Sequence, residues 1–109
     1  MPAPPIPVVI DSDGGCDDAA AIWFALTDPR LDVVALVATW GDLTREESAA
    51  NLCRIAAYAG RPDLPVALGA TGPSAAAPSL RRAPHVHGED GLGGTADRWP
   101  LPAGAAPVA

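Results

Sequence analysis

The chain has 109 residues, room for one domain at most. Its formal charge is −6, from 13 acidic and 7 basic side chains, which excludes the cationic footprint of a nucleic-acid binder. No apolar run approaches the ~18–20 residues that span a bilayer, and Met1-Pro2-Ala3-Pro4-Pro5 has no signal-peptide pattern. A cytoplasmic protein with neither membrane nor nucleic-acid partners is expected. Cys16 and Cys53 form no CxxC pair, so both thiols read as small packing groups in a reducing compartment.

In chain order, Ile6-Pro7-Val8-Val9-Ile10 is a short apolar run and reads as a buried strand. An acidic, glycine-containing loop follows, and then Asp18 to Leu26, alanine-rich and apolar, reads as a buried helix. Thr27-Asp28-Pro29-Arg30 stops that helix, because proline cannot continue its hydrogen-bond ladder. Leu31 to Trp40 is rich in β-branched residues and reads as a second strand, apolar enough for burial on both faces. Strand, helix and strand make a βαβ unit, so the two strands should be parallel with a right-handed crossover.

Thr44 with Glu47 three residues on is a capping box and marks the start of a second helix. Leu52, Ile55, Ala56 and Ala59 give it one apolar stripe, while Gly60 and Pro62 end it. Val66-Ala67-Leu68-Gly69 reads as a third short strand. The alternation predicts an α/β fold, the start of a doubly wound, mainly parallel open sheet of Rossmann-like type. An ordered core of about 6–69 is expected, followed by a glycine- and proline-rich loop at 70–102 and a tail at 103–109.

Chemistry concentrates in the loop after the first strand, where Asp11, Asp13, Asp17 and Asp18 fall within eight positions. Open α/β sheets bind ligands at that end of their strands. Carboxylates this crowded repel by about 4 kcal/mol per pair at 4 Å and an effective dielectric near 20. Either some are protonated or a cation sits among them, and an all-oxygen donor set favours calcium or magnesium over zinc. An EF-hand is excluded, because its sixth and twelfth positions would hold Cys16 and Ile22. A phosphate-cradling loop is excluded by four negative charges. Asp17 and Asp18 as mere helix caps would explain two of the four. Asp11 and Asp13 also fit the Asp-x-Asp of haloacid-dehalogenase phosphatases, but Gly15 stands where those carry threonine or valine.

The pattern Asp-x-Asp-x-Gly-x-Asp-Asp, ending a first strand and opening a helix, resembles the inosine–uridine preferring nucleoside hydrolases. Pro84-His85-Val86-His87-Gly88-Glu89-Asp90-Gly91-Leu92-Gly93-Gly94 resembles the histidine- and glycine-rich loop after their third strand. Ser12 and Gly14 depart from the family's usual threonine or cysteine and proline, and the resemblance covers residues 6–102. It implies hydrolysis of the N-glycosidic bond of ribonucleosides, a role in purine or pyrimidine salvage. It further implies Ca2+ held by Asp13 and Asp18, Asp13 as general base, Asp17 on the ribose diol and His87 beside the base or ribose. Asp11 would be buried at the strand end, orienting its neighbours. Asp42 stands where the family usually has asparagine, and would accept from a sugar hydroxyl or cap the second helix. Family members are considerably longer and complete their calcium shell from later segments. The chain therefore reads as the amino-terminal third of such an enzyme, a homo-oligomer in full-length form. Alternatives are an inactive truncated fragment and a phosphatase using Asp11 and Asp13.

Overall fold

A computed structural model describes residues 3–72 and 83–99, together with 101 and 107. Residues 73–82, 100 and 102 of the expected loop, and the expected tail apart from Pro107, lie outside the described residues. Strand β1 (Ile6–Ser12) leads into helix α1 (Cys16–Thr27), then β2 (Leu31–Ala38), α2 (Arg45–Tyr58) and β3 (Val66–Leu68). The sheet is parallel throughout, in the order β1-β2-β3, so the α/β fold expected from the sequence is the one observed. Because both right-handed crossovers step across the sheet in the same direction, both helices fall on one face. There α1 and α2 touch each other and β2, closing one core around Ile22, Leu36, Leu52 and Ile55.

The capping box of α2 forms as read. The Glu47 N–H donates to Thr44 Oγ1 at 3.1 Å, and the Thr44 N–H reaches Glu47 Oε1 at 3.3 Å. Gly60 ends the helix at φ +81°, a left-handed conformation that a side chain would strain. Helix α2 also buries Ser48 and Asn51, two polar residues on the face that carries the apolar stripe.

Burial on both faces, expected for the strands, is not what the fold provides. Val9 remains 59% exposed and Val34 45% exposed, because no described helix covers the second face. Likewise α1 buries Ala19, Ile22 and Ala25 but leaves Trp23 and Phe24 in solvent. A bulge in β2 sets which residues face the core. Val8 pairs with Val33 and Val9 with Ala35, so Val34 is the extra residue. Val33 and Leu36, three apart, would point to opposite faces of a regular strand; the bulge turns both inward.

Past the third strand, Pro84–His87 forms one helical turn (α3) and Ala96–Arg98 a 3-10 turn. The Tyr58 and Trp99 rings, 5.1 Å apart, tie the end of this segment to α2. Among the described residues, no helix is long and apolar enough to cross a membrane.

The bulge makes adjacent valine and leucine positions unequal. Leu36→Ala should cost about 2–5 kcal/mol as a cavity in the core, whereas Val34→Ala should stay within about 0.5 kcal/mol as a surface change. Urea unfolding of the two variants checks this, and equal losses would show that the strand's facing is assigned wrongly.

Candidate active site

The site lies at the carboxyl ends of the parallel strands, where three loops meet. The first follows β1. Gly14 takes φ +75° to turn the chain, and its N–H donates to the buried Ser12 hydroxyl at 3.1 Å. Gly15 precedes α1, and its N–H donates to Asp18 Oδ2 at 3.2 Å. Asp18 therefore does cap the helix start, but its carboxyl also touches that of Asp13 and the Ser12 hydroxyl. Burial and the Asp13 contact push the Asp18 carboxyl up to about 6, against a smaller lowering by Ser12.

The second loop, after β2, seats Asp13. The Asp42 N–H donates to Asp13 Oδ2 at 3.4 Å, and a Cβ at Gly41 would collide with that carboxylate. Only glycine at 41 lets Asp13 lie against the backbone here. Asp42 itself is 5% exposed. Its Oδ1 accepts from the Ala83 N–H, while its Oδ2 is buried without a partner. It does not cap α2; Thr44 holds that position.

The third loop carries His87. The Cys16 N–H donates to His87 Nδ1 at 3.1 Å, which places the ring proton on Nε2. Asp17 Oδ1 lies 4.0 Å from the same Nδ1. An Nδ1 that accepts from an amide cannot also donate to a carboxylate, so the Asp17 contact is not an ion pair. The Cys16 Sγ lies 3.4 Å from Gly91 O and 3.7 Å from His87 O. Burial first, then the charges of Asp90, Asp17 and Asp42, raise the thiol's pKa, so it stays a donor. Asp90 holds the loop's shape by accepting from the amides of Leu92, Gly94 and Ala96. Burial would raise its pKa, but these amides outweigh it and hold the carboxyl below the ordinary range.

Of the four clustered aspartates, the fold brings together only Asp13 and Asp18. Asp17 projects into solvent. Asp11 is exposed on the uncovered face of the sheet, opposite Ile10 and Ser12, so the expectation that it is buried among its neighbours is overturned. Among the described residues, no group of three or more His, Cys, Asp or Glu converges as a complete metal site would. The donor chemistry still fits a hard cation in part: two touching carboxylates, one with its pKa raised, are compensated by no cationic side chain that the structure shows. Calcium takes about 6–8 oxygens, so Asp13 and Asp18 would form one edge of a shell.

Sequence reasoning passed over Ser48 and Asn51 and read Cys16 only as a packing group and Ser12 only as a departure from the family pattern, yet all four hold the loops by hydrogen bonds. The available signal was polar residues on the apolar face of α2, where an unpaired side chain would be costly.

Comparison with known proteins matches residues 8–108 to the family model described as inosine-uridine preferring nucleoside hydrolase. The pyrimidine-specific ribonucleoside hydrolase RihA of Salmonella enteritidis is 43% identical over 91 residues, 84% of this chain and 29% of that protein. A solved plant nucleoside hydrolase, PpNRh1, superposes with a TM-score of 0.77 at 44% identity, over 84% of this chain and 29% of its own. A purine-preferring ribonucleoside hydrolase from Gardnerella vaginalis gives a TM-score of 0.78 at 25% identity, covering 94% of this chain and 32% of that one. The chain thus spans less than a third of the length of these relatives.

The Asp13–Asp18 contact has a titration signature. Asp18 should titrate near 6 in the metal-free protein, and Asp13→Asn should bring it down toward the ordinary carboxylate range. Since the folded value exceeds the unfolded 3.8, the group's stabilising contribution is present below about pH 4 and lost as pH rises through about 6. Carboxyl-carbon NMR titration measures both; an Asp18 midpoint near 4 would show that the two carboxyls are not in contact.

Proposed function

Since the chain belongs to the inosine–uridine preferring nucleoside hydrolase family, we propose that it carries part of a site that hydrolyses the N-ribosidic bond of ribonucleosides. The observation that carries this reading is the Asp13–Asp18 carboxyl contact at the carboxyl edge of the sheet, next to the His87 loop. Asp13 and Asp18 would hold a calcium ion. Calcium, when bound, supplies Lewis acidity and offsets the repulsion between the two carboxylates.

In the reaction a C–O bond forms between water and the sugar's anomeric carbon as the C–N bond to the base breaks. The transition state resembles an oxocarbenium ion. Asp13 accepts the proton released by water, acting as general base. The carboxylates of Asp13, Asp17 and Asp18 place negative charge near the cationic sugar. Asp17, exposed at the helix start, is free to accept from the ribose hydroxyls. The unpaired Oδ2 of Asp42 offers a further acceptor for a sugar hydroxyl, where an asparagine would offer either an acceptor or a donor. His87, with Nδ1 engaged by the Cys16 amide, presents its Nε2–H as a donor to the base or ribose. The departing base leaves with the electron pair of the broken bond.

Ribose release from inosine and uridine, measured beside phosphate release from a generic phosphate ester, tests the reading. In the full-length form, ribose release that a chelator abolishes and calcium restores is expected. Asp13→Asn should lower it by about 10²–10⁴-fold, with little change in thermal unfolding. Phosphate release without ribose release, or an Asp13→Asn variant within a few-fold of the parent, would overturn the assignment.

A further inference from the structure

Asn51 lies on α2, outside every residue assigned a part in the chemistry, yet it is 2% exposed and touches two of the three site loops. Its Nδ2 donates to Gly14 O at 3.2 Å and to Asp90 O at 2.7 Å, while its Oδ1 accepts from Arg54 Nη1 at 3.3 Å. Both partners of Nδ2 are carbonyl oxygens, which accept only, so the donor end of the amide must face them.

Gly14 O and the Gly15 N–H belong to one peptide unit, and no described peptide is cis. In a planar trans unit these two groups point in opposite directions. Fixing the carbonyl on Asn51 therefore aims the Gly15 N–H, which donates to Asp18 Oδ2. The preceding peptide is held the same way. Ser48 Oγ, on the turn of α2 before Asn51, donates to Asp13 O at 2.6 Å, and the Gly14 N–H of that unit reaches the Ser12 hydroxyl. Two successive carbonyls of the acidic loop are thus drawn into α2 and two amides turned toward the side chains they serve. Through its second bond, to Asp90 O, Asn51 ties down the loop whose His87 ring accepts from the Cys16 N–H. The loops are pressed together at this point. A Cβ on Gly91 would lie 3.0 Å from both Asn51 Nδ2 and Gly14 O.

We propose that Asn51 is a positioning residue whose amide, by clamping the Gly14 and Asp90 carbonyls together, sets the placement of Asp18 and His87 relative to one another. Its catalytic consequence rests on the nucleoside-hydrolase reading above; its structural consequence does not.

Asn51→Leu, close in size and lacking donors, is the test, made on the full chain. The Gly15 and Cys16 amides should exchange with solvent about tenfold faster or more, as expected for the loss of about one net hydrogen bond's worth of restraint. The His87 Nδ1 nitrogen resonance should move away from that of an acceptor held by an amide. For ribose release by the full-length form, kcat should fall by about 10–100-fold, the range seen when groups that orient ligands are removed, with KM nearly unchanged. Asn51→Ser, which is small and reaches neither carbonyl, should give the same pattern and substitutes if the leucine variant does not fold. Arg54→Met leaves both Nδ2 bonds in place and should leave amide exchange and the His87 signal as in the parent. Parent-like protection of Gly15 and Cys16 together with an unmoved His87 resonance in either Asn51 variant would overturn the proposal. Absence of ribose release in the full-length parent would overturn the hydrolase reading instead, and the exchange and nitrogen measurements would still decide the role of Asn51.

Discussion

Two carboxylates held in contact, those of Asp13 and Asp18, are the constraint to which the surrounding structure answers. Like charges at such range repel by several kcal/mol even with partial screening, about 4 at 4 Å and a dielectric near 20. They stay together because each is gripped from outside the pair. Asp13 rests over Gly41 and accepts from the Asp42 amide; Asp18 accepts from the Gly15 amide and from the Ser12 hydroxyl. A helix start adds its own partial positive charge beside Asp18. The result is a pair stabilised for a cation or a proton rather than for two free charges.

Holding the pair requires a rigid backbone, and the loop between them has two glycines that would otherwise leave it free. Restraint comes from α2 rather than from the loop's own sequence. Ser48 and Asn51 are polar residues on a helix face that packs against the sheet, and burial without partners would cost about 1–3 kcal/mol each. The carbonyls of Asp13, Gly14 and Asp90 supply those partners. The same bonds that satisfy the helix therefore fix the loops, so core packing and site geometry are a single set of contacts.

Glycine has two distinct uses here. At Gly14 and Gly91 the backbone takes positive φ and carries the chain through tight turns. At Gly41 the need is space, since any side chain would occupy the position of the Asp13 carboxylate. Asp42 shows the opposite economy: a carboxylate buried with one oxygen unpaired.

By itself the sequence determined the order of elements, their approximate ends, the parallel pairing and the position of the acidic loop at a strand's carboxyl end. It could do so because these follow from local rules: apolar period, the Thr44–Glu47 cap, Pro29 and Gly60 as stops, and the handedness of βαβ crossovers. Tertiary structure alone decided which of the four aspartates meet. Asp11 lies in the strand and alternation turns it to the open face, while Asp18 folds back from the helix start onto Asp13. The bulge at Val34 was equally invisible, since an inserted residue changes the facing of all that follow without changing composition. Asn51, read only as an unremarked position in a helix, joins residues 37 and 39 positions away in the chain. No periodicity records such a bond, because its partners are backbone carbonyls, which every residue has, and only the packing of α2 against the site loops selects which two they are.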